Sequence, residues 1–200
     1  MYLLAGDWLR EMQYRGPVPT VVAEPDPDRQ VEPQRLVPDR IVIDSAAVNT
    51  IVEPAPATHR VNQFTGLSVS TFPVPGGPFT TVWWEEGPAP GEPGLAVILG
   101  HTRGQAPSVF ADLPHLRPGA LIGLVGTSAV GTELVGRYLV DDVVTGIPKE
   151  DQSALRAVLD NAPAGATLAL ITCSGDIDED LSSHTDNTVV FASLEGMYSG

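Results

Sequence analysis

Prolines and glycines punctuate this chain from end to end. Its 200 residues include 19 prolines and 20 glycines, and short apolar runs lie between them, among them residues 95–99, 120–126 and 166–173. Proline fixes φ and removes a backbone donor, and glycine tolerates the positive φ of tight turns, so both residues favour turns. Short apolar runs separated by frequent turns predict a mostly-β fold, and a barrel with one or two short helices fits the pattern best.

The chain divides into three predicted segments. Residues 1–15 are expected to form a short amphipathic helix, because Leu4, Trp8 and Met12 are spaced by four. Residues 16–39 carry prolines at positions 17, 19, 25, 27, 33 and 38, and this composition predicts an extended linker. The folded domain is predicted to span residues 40–200.

Composition and charge exclude several classes of function. The chain has 25 acidic and 11 basic residues and a formal net charge of −14. This charge argues against binding of nucleic acid or anionic membranes, because both require clustered cations. No apolar stretch reaches the roughly 18–20 residues that a membrane-spanning helix needs, and the first 15 residues lack the basic and apolar regions of a signal peptide.

Strands predominate within the predicted domain. Residues 81–84 and 95–99 are predicted strands joined by a proline–glycine turn, and a long loop precedes them. Residues 149–163 form the clearest helix, with an apolar face. Trp83 and Trp84 are adjacent on a strand, so their side chains point to opposite faces and at most one of them lines a peptide groove.

The only cysteine of the chain, Cys173, ends the apolar run 166–173. Such a residue is either a buried packing residue or a reactive thiol, and the residues alone leave both readings open. A nucleophilic thiolate needs an acid/base partner. Among the four histidines, His101 ends an apolar strand, whereas the other three lie in predicted loops. Two reactive side chains at strand exits can meet at one rim of a barrel.

Several stretches of the domain together resemble a known family. They are WWEEGPAPGEPGLAVILGHT (83–102), VFADLPHLRPGALI (109–122), LALITCSG (168–175) and DNTVVFASL (186–194). In this order, over residues 40–194, they resemble the sortases, and most closely the class E/F sortases of high-GC Gram-positive bacteria, the actinobacteria.

The resemblance implies a closed eight-stranded β-barrel and a cysteine transpeptidase. Cys173 matches the family's nucleophile and His101 its catalytic histidine. Such an enzyme cleaves a Leu-Pro-x-Thr-Gly-type sorting signal of surface proteins through a thioacyl intermediate. It then transfers the new carboxyl end to an amine, either of a cell-wall peptide or of a pilin lysine. The resemblance further implies a monomer at the cell surface, and the chemistry requires neither a metal nor an organic cofactor.

One feature of the family is missing from this sequence. Sortases carry an arginine on the last strand, and its position is occupied here by Thr185. No arginine or lysine follows Cys173. Arg103, two residues after the catalytic histidine, is one candidate to replace the missing group, and Thr185 and His184 are weaker neutral donors. The alternative is a catalytically impaired sortase-fold protein that binds peptides or surface proteins without turnover.

Overall fold

The computed structural model describes residues 22, 24–61, 68–102, 108–149, 151–178 and 183–200. Within these residues, eleven strands and a nine-residue α-helix follow one another along the chain. The strands are β1 (Gln30–Val31), β2 (Val37–Ile43), β3 (Val48–Ala55), β4 (Thr58–Val61), β5 (Ser68–Thr71), β6 (Thr81–Trp84), β7 (Ala96–Gly100), β8 (Leu121–Thr127), β9 (Glu133–Pro148), β10 (Ala166–Asp178) and β11 (Ser183–Ser199), and the helix is α1 (Gln152–Asp160).

Eight of these strands close into a barrel. Hydrogen-bonded neighbours follow in the order β11, β10, β7, β6, β3, β2, β8 and β9, and β9 pairs back with β11. β1 adds to β11 outside this ring, and β4 and β5 form a separate hairpin. Closure gives every barrel strand a neighbour on both sides, which removes open sheet edges. The predicted mostly-β fold, a closed eight-stranded barrel with a short helix, is confirmed.

Alternation along the strands builds two apolar layers. Side chains that point inward form the barrel core, in which Trp83, Phe110 and Tyr138 are among the largest buried residues. A second cluster lies on the outer face of β7, β9, β10 and β11, and it consists of Val97, Ile147, Ala169, Ile171, Val189 and Phe191. The apolar face of α1 packs on this outer cluster. Where both faces of these strands are covered, as at residues 96–99, 168–171 and 189–192, the sequence is continuously apolar.

Much of the proline-rich segment is packed against the barrel. β1 pairs with the end of β11, and Leu36 is completely buried in the core. β2 begins at Val37, three residues before the predicted start of the domain. The Arg35 guanidinium lies 5.5 Å from the ring centre of Trp83. From Gln30 onward the expected linker is therefore a folded part of the domain, because proline suits extended backbone at strand ends and edges. The helix predicted for residues 1–15 lies outside the described residues.

The long loop predicted before residue 81 contains the hairpin of β4 and β5. The Thr58 and Thr71 hydroxyls face each other across this hairpin at 2.9 Å. Its strands are largely polar and lack apolar alternation, and for this reason periodicity did not reveal them.

Candidate active site

Cys173 and His101 lie side by side at one end of the barrel. β7 and β10 run parallel, with Ala96 opposite Leu168 and Leu99 opposite Ile171. Continuing this register by two residues brings His101 level with Cys173. Neighbouring strands lie about 4.8 Å apart, which is close enough for the two side chains to interact.

Both side chains belong to the outer face of the sheet. Ile98 and Leu170 point into the barrel core, whereas Val97 and Ile171 belong to the outer cluster. Alternation therefore places His101 and Cys173 on the outer side, where each of them is half-buried. The outer face also holds buried side chains, such as Ile171 at 4% exposure, but Cys173 is only half-buried there.

Two threonine hydroxyls join the strands directly behind this pair. Thr172 points into the barrel, is 2% exposed, and donates a hydrogen bond to the carbonyl of Gly100 at 2.9 Å. The Thr102 hydroxyl lies 2.6 Å from that of Thr172 and 3.1 Å from the carbonyl of Phe110. The Phe110 N–H in turn donates to the His101 carbonyl at 3.1 Å. These bonds fix the backbone on which both reactive side chains stand.

The histidine ring is oriented by a backbone carbonyl. His101 Nε2 lies 3.0 Å from the carbonyl oxygen of Pro75. A carbonyl can only accept, so Nε2 carries a proton and donates it. Nδ1 is then the ring nitrogen that can gain or lose a proton during a reaction.

An open cleft of about 840 Å³ lies on the outer face of the sheet between α1 and the β4–β5 hairpin, and it reaches Asn187, although neither Cys173 nor His101 lines it. Its floor and walls are mostly apolar, and Trp84, Leu95, Val97, Leu155 and Leu159 are among the residues that line it. Trp84 packs edge-on against Phe72, with ring centres 5.2 Å apart. Trp83 lies in the barrel core, so the prediction that only one of the two tryptophans can face a groove is confirmed. Its volume and largely apolar lining fall within the range of ligand-binding clefts.

The structure describes two of the three candidates for the missing arginine. Arg103 lies outside the described residues. Thr185 is exposed on β11, and its carbonyl accepts a hydrogen bond from the Lys149 N–H at 3.0 Å. His184 Nδ1 lies 2.9 Å from the carbonyl oxygen of Gly175, to which it donates. Thr185 therefore stands near the site, whereas one ring nitrogen of His184 is engaged with the backbone just beyond the cysteine.

Sequence reasoning missed two polar residues that the fold brings to the site. Asn187 lies directly opposite Cys173 in the antiparallel pair of β10 and β11, and it lines the cleft. Lys149, the only lysine of the chain, also lines the cleft beside Thr185. Lys149 precedes the cysteine in sequence, so a search for cations after Cys173 could not find it. The Asp-Asn pair at 186–187 was the only available signal for Asn187.

The described part of the chain holds neither a membrane-spanning helix nor a metal-binding cluster. No helix there is long and apolar enough to cross a membrane. No group of three or more histidine, cysteine, aspartate or glutamate side chains there is arranged to hold a metal ion.

Comparisons with known proteins agree with this architecture. Residues 41–195 match the family model of the Sortase domain. Sortase A from Listeria monocytogenes superposes with a TM-score of 0.55 at 18% identity, covering 84% of this chain and 92% of that one. The SrtA sortase from Actinomyces oris gives a TM-score of 0.57 at 15% identity, covering 86% of this chain and 90% of that one. No curated protein matches the sequence. Since the family model covers more than three quarters of the chain in one continuous match, the protein belongs to the sortase family.

Proposed function

We propose that this protein is a cysteine transpeptidase that cleaves a Leu-Pro-x-Thr-Gly-type sorting signal, with Cys173 as nucleophile and His101 as general acid and base. The observation that supports this most is the parallel register of β7 and β10, which sets the two side chains level on the outer face. An apolar cleft on the same face reaches Asn187, the cross-strand neighbour of Cys173, and this also supports the proposal.

The proposed reaction is acyl transfer in two steps. The Cys173 thiol gives its proton to His101 Nδ1, and the thiolate attacks the threonine carbonyl carbon of the sorting signal. The carbonyl π pair moves to oxygen and then returns as the C–N bond breaks, and the imidazolium protonates the leaving amine. An incoming amine attacks the resulting thioester, loses a proton to His101 and releases the cysteine thiol.

The substrates follow from the chemistry and from the family. The acyl donor is the sorting signal of a surface protein, whose leucine and proline suit the apolar walls of the cleft. The acceptor is an amine, either of a cell-wall peptide or of a pilin lysine. We further propose a class E/F-like sortase that acts as a monomer at the cell surface, because the motifs at 83–102 and 168–194 resemble that class.

A second candidate is a sortase-fold protein that binds peptides without turnover. One observation favours it: position 185 is a threonine, whereas the class E/F sortases that this chain resembles have an arginine there. Loss of one oxyanion donor typically lowers the rate about 10²- to 10³-fold. The cleft and the Cys173–His101 pair would then serve recognition alone.

Intact-mass spectrometry with synthetic peptides separates the two candidates. The protein is incubated with Leu-Pro-x-Thr-Gly peptides, with scrambled peptides and with triglycine as acceptor. A transpeptidase forms a thioacyl adduct and a transfer product, and both are absent in Cys173→Ala and strongly reduced in His101→Ala. Peptide binding by the wild-type protein without any adduct, while iodoacetamide still alkylates Cys173, would establish the binding protein instead.

A further inference from the structure

We infer that the Asn187 side-chain amide donates a hydrogen bond to the oxyanion that forms when Cys173 attacks a carbonyl. This inference rests on the proposed function, because it takes Cys173 as the nucleophile. The role assigned to Asn187 is to stabilise the oxyanion. In the resembling family an arginine on the last strand does this, and β11 has no arginine or lysine.

The position of Asn187 carries the inference. β10 and β11 pair without a break from Leu168–Ala192 to Ser174–Asp186, and Cys173 stands opposite Asn187. Side chains directly opposite each other in an antiparallel pair have Cβ atoms about 4.5–5.5 Å apart. The carboxamide, one bond beyond Cβ, therefore reaches the space next to the sulfur atom.

The face on which Asn187 lies is fixed by its neighbours. Val189 and Phe191 belong to the outer cluster, whereas Val190 points into the barrel. Alternation places Asn187 on the outer face with Cys173, and its inclusion in the cleft lining agrees with that. On its other side, Asn187 is paired with Ile147 of β9, which is 3% exposed. The half-buried asparagine is thus held on a strand with partners on both sides.

The residue type suits the task. A carboxamide presents two N–H donors, carries no charge and does not titrate, so it can stabilise an oxyanion without changing protonation state. Attack of the thiolate forms the S–C bond and moves the carbonyl π pair onto oxygen. That oxygen lies within a bond or two of the sulfur atom, where the Asn187 amide can meet it.

Thr185 and Lys149 are less well placed for this bond. Thr185 lies two residues farther along β11 and is exposed. Lys149 stands one strand farther from Cys173 than Asn187 does, because β9 pairs with β11 rather than with β10. Both residues provide matched comparisons for the test.

A peptide aldehyde ending in Leu-Pro-x-threoninal tests the inference without requiring turnover. Its carbonyl reacts reversibly with the Cys173 thiol to give a tetrahedral hemithioacetal, in which sulfur bonds to carbon and the oxygen takes up the thiol proton. The dissociation constant is measured for the wild-type protein and for Asn187→Ala, Asn187→Asp, Thr185→Ala and Lys149→Met. Iodoacetamide alkylation of Cys173, a reaction that develops no oxyanion, is measured in parallel, with thermal melting as the check of folding.

We expect both Asn187 variants to bind the aldehyde about 10²- to 10³-fold more weakly. Alkylation and melting should change little in Asn187→Ala, whereas the carboxylate of Asn187→Asp also opposes the thiolate and should slow alkylation. The Thr185 and Lys149 variants should lose much less, because neither side chain lies directly opposite Cys173. Asn187 variants that bind as tightly as wild type, or a loss confined to Lys149→Met, would overturn the inference, as would a wild-type protein that forms no hemithioacetal. Asn187-dependent aldehyde binding together with no peptide transfer would refute the transpeptidase and leave the inference standing.

If Asn187 supplies the donor, an arginine restored nearby should replace it. Thr185→Arg is therefore combined with Asn187→Ala, since both positions lie on the same face of β11. Recovery of aldehyde binding in the double variant supports the assignment. A double variant no better than Asn187→Ala, in a protein where Thr185→Arg alone tightens binding, would contradict a shared oxyanion role.

Discussion

The hydroxyls of Thr102 and Thr172 meet 2.6 Å apart, one residue away from His101 and Cys173 respectively. The contact connects the segment that follows β7, which carries the histidine, to β10, which carries the cysteine. Thr172 also donates to the Gly100 carbonyl, so the two strands remain joined one residue beyond their last pair, Ile171 and Leu99. The spacing of the two reactive side chains therefore depends on a buried polar contact as well as on the sheet.

Thr102→Val and Thr172→Val should both slow peptide cleavage, and the double variant should lose less than the two single effects combined. Valine keeps the shape of threonine but removes the hydroxyl, and a net hydrogen bond contributes about 1 kcal/mol. Rates of peptide cleavage and urea unfolding are measured for all three variants. Thr188→Val is the matched control, because the buried Thr188 hydroxyl has no hydrogen-bond partner among the described residues. Fully additive effects on cleavage would show that the two hydroxyls act separately.

Leu36→Ala should destabilise the whole domain by about 2–5 kcal/mol, because the side chain is completely buried in the barrel core. A chain that begins at residue 40 should lose at least as much, since it also lacks the start of β2. Urea unfolding measures both. Val130→Ala, at a position that is 88% exposed, is expected to stay within about 0.5 kcal/mol of the wild type. If the truncated chain were as stable as the wild type, the domain would begin at residue 40, as the prolines predicted.

In the Tyr138→Phe variant, the free energy of unfolding should fall less steeply with pH in the alkaline range than in the wild type. Burial raises the pKa of Tyr138 well above its ordinary value of 10.0. The folded state keeps the phenol neutral while the unfolded chain ionises, so this contribution is intact below about pH 10 and is lost as the pH rises further. The wild-type protein should lose up to about 1.4 kcal/mol more per pH unit there than the variant.

Urea unfolding between pH 8 and 11.5 measures how the free energy of unfolding falls with pH in the wild type and in Tyr138→Phe. Tyr198→Phe, at a partly buried position, serves as the matched control. Parallel curves for the wild type and Tyr138→Phe above pH 10 would mean that the buried phenol does not limit alkaline stability.

Asp151→Ala should loosen α1 and weaken peptide binding in the cleft that this helix borders. Hydrogen bonds from the side chain and backbone of Ser153 hold the pKa of Asp151 below its ordinary value of 3.8. Their stabilising effect is therefore present above about pH 4 and disappears as the pH falls further. Hydrogen exchange of the α1 amides between pH 3 and 6 should be faster in the variant, and the difference should shrink at the acid end.

Asp160→Ala is the matched control for Asp151, because Asp160 pairs with Arg156 at the opposite end of the same helix and is largely exposed. It should change the exchange of the first helical turn very little. Equal effects of the two substitutions would show that charge on the helix, and not the N-cap hydrogen bond, controls its opening.

Local sequence rules determined much of this protein. Frequent prolines and glycines predicted short strands and turns, alternation predicted opposite faces for Trp83 and Trp84, and the apolar run 95–99 placed His101 just after a strand. Cys173 was also expected to end its strand, but β10 continues to Asp178. Each of these inferences needs only a residue and its near neighbours in the chain, because the strand period of two and the preferences of turn residues are local properties.

Tertiary structure decided what those rules could not reach. The register of β7 against β10 and of β10 against β11 sets His101 and Asn187 beside Cys173. That register follows from burying both faces of the strands at once, and a slip of one residue would send every side chain to the wrong face. Leu36 was hidden in a proline-rich segment because its partners, such as the core around Trp83, lie far away in sequence. Non-local packing, which no local pattern records, thus assembled the site.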